Sequence, residues 1–361
     1  MRVLIVDDSV VFRSQIKAAL EGAALIEIAG TANNGKIALQ RLAQSSVDLV
    51  TLDMEMPEMS GLETIREIRK AKFPVRVIIF SSHTTRGSEL ALEALAAGAD
   101  DFVAKPTGES ISMESASERI RNELLPKIFQ FAESHASKEL SSKKPETARP
   151  PIFSTPPSTP SQSYTKKGLE TFRPDVIVIG SSTGGPPALE KVLTGITVPI
   201  RCPILIAQHM PPIFTASLAK RLQEVTGVPA AEAKDQEELQ NGKIYIAPGN
   251  YHLSIVKGPL GVRLKLDQGP PRNSVRPAVD TLFESAAQCY GSKCMGFVLT
   301  GMGEDGLQGA KIIKQGLGGV MIQDRLSSVV FGMPGAVYQS GAYDEMGNLS
   351  SINSMIRNMT T

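Results

Sequence analysis

The chain has 361 residues, 42% of them apolar and 21% charged, enough for two ordinary domains that each bury a core. Lys+Arg 38 nearly cancels Asp+Glu 37, leaving a formal charge of +1, so no overall field directs the protein to nucleic acid or anionic lipid. Cys202, Cys289 and Cys294 form no paired framework, the four histidines come with no CxxC-type metal signature, and no apolar run approaches the roughly 20 residues of a membrane span.

The opening MRVLIVDDS sets acids where a signal peptide needs an apolar core. No export signal or membrane insertion is expected, and a cytoplasmic location fits reduced cysteines. Val3 to Val6 predicts a strand that stops at Asp7 and Asp8, with further strands in LVTLD (49–53), VRVIIF (75–80) and, more weakly, DFVAKP (101–106). Helical stretches lie between them at Val10 to Glu21, Ile37 to Ala43 and Leu62 to Lys70. This alternation predicts a parallel sheet covered on both faces, with functional groups at the carboxyl ends of its strands.

Asp7, Asp8 and Asp53 end strands, so three carboxylates share a pocket that a hard cation such as Mg²⁺ would stabilise. Ser81 and Lys105, at two further strand ends, supply a hydroxyl and an ammonium suited to a phosphoryl group. The competing reading is that Asp7 and Asp8 merely cap the first helix. Taken as a set, DD, LDMEMP, FSS and AKP resemble the receiver domain of two-component response regulators over about residues 1–124. That resemblance implies a (βα)5 fold, phosphorylation of Asp53 by a chemotaxis histidine kinase, and Mg²⁺ at Asp7, Asp8 and Asp53. It also implies phosphoryl contacts from Ser81 and Lys105, and an aromatic switch residue at Phe102.

Glu114 to Glu139 reads as helical in parts, and SSKKPETARPPIFSTPPSTPSQSYTK (141–166) is dominated by Ser, Thr and Pro. Residues 125–171 are therefore expected to be a helical extension followed by a flexible linker. The strand pattern restarts at Asp175 with VIVIGSSTGG and recurs in PILIAQH (203–209), KIYIAPG (243–249), CMGFVLTGMG (294–303) and Val320 to Gln323. HLSIV (252–256) and VRLKL (262–266), separated by KGPLG, predict a hairpin attached to the main sheet. The expectation is a doubly wound α/β domain over 172–349, with 350–361 as a tail.

GSSTGG centres a G-x-S-x-G on Ser182 between a strand and a helix expected from Pro187 to Thr194. A phosphate-binding glycine loop is the alternative, but Ser182 breaks G-x-G-x-x-G and no Lys-Ser/Thr ending follows. A serine nucleophile needs a base and an acid to orient it. The domain's histidines are His209, at a strand tip, and His252, beside the hairpin. The candidate acid is Asp305 in TGMGEDG, which could instead simply cap the following helix, with Asp280 and Asp324 as alternatives, and Gly301, Met302 and Gly303 of the same loop are candidate oxyanion donors. Arg276 and Arg325 could orient an acidic substrate surface or be solvated loop residues.

GSSTGG, AQHMP, PGNYH, RPAVDTLF, LTGMGEDG and QDRLSSVVFGMP together resemble the catalytic domain of chemotaxis protein-glutamate methylesterases. That resemblance implies Ser182 as nucleophile, His209 as base and Asp305 as its orienting acid, with no cofactor for ester hydrolysis. The implied substrates are glutamyl methyl esters of chemoreceptors, with deamidation of selected glutamines and recruitment to membrane receptor arrays.

Overall fold

The computed structural model describes residues 1–106, 113–142, 164–196, 198–259 and 261–361. The chain divides into two compact units, one of Met1–Ala132 with Pro211–Leu218 and the other of Glu133–Met210 and Ala219–Thr361, which holds most of every element from residue 164 onward.

The first unit alternates β1 (Arg2–Val6), α1 (Val10–Leu20), β2 (Glu27–Ala32), α2 (Gly35–Gln44), β3 (Leu49–Asp53), α3 (Gly61–Lys70), β4 (Arg76–Ser81), α4 (Thr85–Ala96), β5 (Asp101–Ala104) and α5 (Met113–Ser142). Its five strands are parallel in the order β2-β1-β3-β4-β5. The inner strands β1, β3 and β4 are buried almost throughout, which is why they read as continuous apolar runs. The edge strand β2, EIAGTA, carries no such run and was not legible. Four helices begin at a polar cap whose side-chain oxygen accepts a backbone N–H three residues on: Ser9, Asn34, Ser60 and Thr84. Ser9, not Asp7 or Asp8, therefore caps α1, and the capping reading of those aspartates fails. At the far end, α5 runs straight through residue 124, the expected domain edge. Leu124, Leu125, Ile128 and Phe131 are buried, and Lys127 pairs with Asp101 of β5 at 2.6 Å, so packing carries the first unit past that edge. Of the expected linker, residues 143–163 lie outside the described residues.

The second unit comprises β6 (Val176–Ser181), α6 (Gly185–Leu193), β7 (Ile204–Gln208), α7 (Phe214–Thr226), β8 (Ala230–Glu232), β9 (Ile244–Ile246), β10 (His252–Gly258), β11 (Gly261–Asp267), α8 (Val279–Tyr290), β12 (Cys294–Val298), α9 (Leu307–Gln315), β13 (Gly319–Gln323), α10 (Met333–Ser340), β14 (Glu345–Gly347) and α11 (Leu349–Thr360). Seven strands form one parallel sheet in the order β14-β13-β12-β6-β7-β9-β8. From β6 the chain winds outward through β7 to β8 and β9, then returns to the other side of β6 as β12. The crevice at the carboxyl ends of β6 and β12 is thus a topological switch point, where such sheets place ligands.

Three expectations need correction. The β10–β11 hairpin is a separate antiparallel pair, joined to the domain by packing rather than by the main sheet's hydrogen bonds. Leu253, Ile255 and Leu264 enter the core beside Phe283 of α8, and Ile255 N donates to Ser285 Oγ at 3.1 Å. Residues 350–361 are not a tail, because α11 buries Ile352, Ile356 and Met359 completely and packs on α6. Each such side chain stabilises the fold by about 1.5–3 kcal/mol relative to exposure. At the other boundary the domain begins before 172: Leu169 is buried and Lys167 N donates to Asp344 Oδ1 at 2.6 Å.

Candidate functional site

At the carboxyl end of the first sheet, Asp7 and Asp8 follow β1, Asp53 ends β3, Ser81 ends β4 and Lys105 follows β5. Asp7, Asp8 and Asp53 each bring one oxygen into a group whose members lie within 4.8 Å of one another. The Lys105 ammonium stands 2.8 Å from Asp53 and 3.3 Å from Asp7. Burial, then the charge of Asp53, pushes the Asp7 carboxyl up to about 6, against the opposing pull of Lys105 and the Ser9 N–H. Burial would discharge Lys105, but Asp53 and Asp7 outweigh it and hold its pKa above the ordinary lysine value. One ammonium for three carboxylates leaves negative charge uncompensated, and an all-oxygen donor set suits a hard divalent cation.

Ser81, nearly fully buried, donates its hydroxyl to Gly87 O at 2.7 Å and lines one small cleft with Asp53 and Lys105. The Phe102 ring is buried in β5, with the Lys127 ammonium 6.0 Å from its centroid.

The second site spans the adjacent strands β7, β6 and β12. Ser182 follows β6 and His209 follows β7, one step beyond the paired residues Ser181 and Gln208. Ser182 N donates to Thr300 O at 3.0 Å, and His209 N to Ser181 O at 3.0 Å, so the serine is held between the other two loops. A Cβ added at Gly301 would come within 2.8 Å of the Ser182 Cβ, so only glycine lets the β12 loop lie against the serine. Gly184 takes φ 74° to turn the chain from that serine into α6. Ser182 itself stays outside the left-handed region, unlike the strained serine of a hydrolase elbow.

His209 Nε2 is 2.8 Å from Asp305 Oδ2. A proton on Nε2 then leaves Nδ1 as the nitrogen able to accept another. Asp305 is buried yet richly supplied with donors: Val279 N at 2.6 Å, Asp280 N and Gly306 N at 3.0 Å, and Asn273 Nδ2 at 2.9 Å. The first two open α8, whose N-terminal dipole also favours an anion. Burial alone would raise the Asp305 carboxyl, but the His209 hydrogen bond and charge, with the N–H groups of Asp280 and Val279, hold it below the usual carboxylate value.

The other sequence candidates separate cleanly. His252 has both ring nitrogens engaged, with Pro270 O at 3.0 Å and Ala278 N at 3.2 Å, and so packs the hairpin. Asp324 caps a turn through Ser327 N at 2.8 Å. Asp280 lies beside Asp305 but takes its hydrogen bonds from Gly309 N and Asn273. Gly301 is not an available oxyanion donor, since its N–H already reaches Val330 O at 3.1 Å; Met302 and Gly303 are the loop's remaining candidates. Arg276 is spent on Asn250, Gln268 O and Gly269 O, whereas Arg325 is exposed and lies 4.6 Å over the Phe331 ring. Burial pushes the Cys294 thiol up, and that of Cys202 to about 11, so neither is a poised nucleophile.

Gln208 was not singled out in the sequence. Its buried amide accepts from Ser181 Oγ at 2.6 Å and donates to Ser182 O and His209 O at 2.9 and 3.2 Å, tying the two loops together. Its place in AQHMP, one residue before His209, was the available signal.

Comparison with known proteins finds a match for each part of the chain. Residues 177–356 match the CheB methylesterase family and residues 3–115 the response regulator receiver domain. The protein-glutamate methylesterase/protein-glutamine glutaminase of Trichodesmium erythraeum is 43% identical over 351 residues, 97% of this chain and 96% of that protein. This chain belongs to that family. It is accordingly an enzyme of the hydrolase class, with a receiver domain ahead of its catalytic domain. The counterpart from Nocardioides sp. is 42% identical over 94% of this chain and 90% of that one. The crystal structure of the Thermotoga maritima CheB methylesterase catalytic domain matches with a TM-score of 0.51 at 40% identity, covering 52% of this chain and 99% of that domain. No helix among the described residues is long and apolar enough to cross a membrane.

Proposed function

We propose that the chain hydrolyses glutamyl methyl esters on chemoreceptor cytoplasmic domains through a Ser182 acyl-enzyme, and deamidates selected receptor glutamines by the same route. The observation that carries this reading is His209, at the end of the strand next to that of Ser182, with its Nε2 2.8 Å from a buried, donor-rich Asp305. His209 Nδ1 takes the hydroxyl proton as Ser182 Oγ attacks the ester carbonyl, and backbone N–H groups of the 302–303 loop receive the oxyanion. The intermediate collapses, methoxide leaves as methanol with the proton from His209, and an acyl bond to Ser182 remains. Water then attacks with His209 again as base, releasing the glutamate carboxylate and restoring the serine. A glutamine side chain follows the same steps with ammonia as the leaving group. None of these steps requires a cofactor.

Regulation falls to the receiver. Asp53 would accept a phosphoryl group from a chemotaxis histidine kinase, with Ser81 and Lys105 contacting it and Phe102 reporting the change. Mg²⁺, held by Asp7, Asp8 and Asp53, would supply positive charge against the phosphoryl oxygens. Chemoreceptors as substrate place the working enzyme in the cytoplasm at membrane receptor arrays.

The test is methanol release from methylated receptor fragments, with and without a small-molecule phosphodonor. Ser182→Ala should lower turnover by at least about 10⁴-fold without loss of fold. Near-normal turnover would sink the mechanism, and a rate indifferent to phosphodonor would remove the regulatory half.

A further inference from the structure

The loop between β11 and α8 brings a residue with no assigned role to the back of the Asp305 carboxylate. Arg272 and Val275 exchange backbone hydrogen bonds, Arg272 N to Val275 O at 3.1 Å and Val275 N to Arg272 O at 3.0 Å. Between them Asn273 and Ser274 both take left-handed backbone, at φ 52° and 64°. This is a two-residue turn of the kind that asparagine tolerates well. It aims one side-chain amide at two acids: Asn273 Nδ2 donates to Asp305 Oδ1 at 2.9 Å and to Asp280 Oδ2 at 3.0 Å.

Those two bonds use both hydrogens of the amide, and both carboxylates are buried. The pair is asymmetric. Among the described residues Asp305 has four other donors, whereas Asp280 receives only Gly309 N at 2.8 Å besides Asn273. The nearby Arg272 guanidinium is already spent in a two-pronged pair with Glu284. With the amide gone, two like charges would face each other with no donor bridging them, the Arg272 guanidinium acting on them through its charge alone. Burial, with the charge of Asp305 behind it, already raises the Asp280 carboxyl while Asp305 is held low, so without the amide Asp280 would take a proton or turn away, and the Asp280 N–H that Asp305 Oδ1 accepts would shift with it.

We propose that Asn273 is a positioning residue of the esterase site, its amide clamping Asp280 and Asp305 side by side as carboxylates and so keeping Asp305 turned to His209. The proposal rests on the Ser182–His209–Asp305 reading and extends it. Asn273 itself is exposed, with only its amide reaching inward, so its loss should disturb the chemistry more than the fold.

The experiment measures kcat and KM for methanol release from methylated receptor fragments by the full-length chain, alongside thermal unfolding. The variants are Asn273→Ala, Asn273→Asp and Asn273→Ala combined with Asp280→Asn. Asn273→Ala should lower kcat by about 10- to 100-fold, the usual cost of losing an orienting partner, while KM changes less than about 3-fold. Asn273→Asp keeps size and turn preference but adds a third carboxylate, and should lose at least as much. Adding Asp280→Asn to Asn273→Ala removes the repulsion and should recover roughly 5-fold or more of the lost kcat, a coupling that a merely structural role would not produce. The proposal is overturned if the Asp variant keeps kcat within about 2-fold of wild type, or if the double substitution only adds losses. It is equally overturned if the cost falls on KM. Ser182→Ala assayed in parallel separates the two claims: turnover surviving there defeats the triad itself, whereas its loss beside active Asn273 variants defeats only the clamp.

Discussion

Both units set buried carboxylates at the ends of parallel strands, yet the two groups are poised in opposite senses. In the receiver, buried Asp7 and Asp53 share the Lys105 ammonium beside exposed Asp8, and Asp7 is driven up to about 6 by burial and by Asp53. In the esterase, Asp305 has backbone N–H donors, the Asn273 amide and His209 around it, and is held below the ordinary carboxylate value despite its burial. Burial alone therefore does not decide what a strand-end aspartate does. Where donors are scarce the cluster is suited to an incoming cation and phosphoryl group; where they are plentiful the carboxylate stays ionised and can orient a base.

The sharpest way to break this contrast is Asp305→Asn. It preserves shape but offers His209 Nε2 an amide, and kcat for methanol release should fall by about 10³- to 10⁴-fold. A loss below tenfold would mean that the donor-rich site is only structural. Next in size comes the cation. Mg²⁺ at about 100 times its Kd should stabilise the receiver by about 2.7 kcal/mol, seen as a rise in its thermal midpoint that EDTA reverses. Asp53→Asn should abolish that rise, and an equal rise in the variant would place the ion elsewhere.

A smaller effect lies in the pH dependence of the esterase domain. The Asp305 pKa is lower folded than unfolded, so its contribution to stability is present above the unfolded value of about 4 and lost as pH falls through the folded one. Chemical denaturation of Asp305→Asn at neutral pH should show a deficit of roughly 1–3 kcal/mol that shrinks under acid conditions. A deficit independent of pH would argue against the ionised partner. Smallest is Ser9→Ala, expected to cost about 1 kcal/mol of receiver stability by removing the α1 cap. No cost would reopen the capping role for Asp7 or Asp8.

Much of this architecture was legible because it is written locally. A strand buried on both faces needs a run of apolar residues, so β1, β3, β4, β6, β7 and β12 announce themselves, and the polar residue that ends each run falls at the functional end of the sheet. Edge strand β2 lacked that signature. Helix α11 resembles a tail in sequence because its buried positions Ile352, Ile356 and Met359 stand among Ser, Asn and Thr, and its role depends on α6, far away in sequence.

The sequence by itself determined that Asp7, Asp8, Asp53, Ser182, His209 and Asp305 would stand at strand ends, since strand periodicity and loop glycines are short-range properties. Only the tertiary structure decided which groups answer them. That Asp280 is neighbour rather than partner to His209, that His252 is fully engaged in packing, and that the Asn273 and Gln208 amides bond to Asp305 and to the Ser182 and His209 carbonyls follow from contacts between segments remote in the chain. The physical reason is that a carboxylate's state depends on the number and direction of donors around it, and those come from loops whose meeting no local pattern encodes.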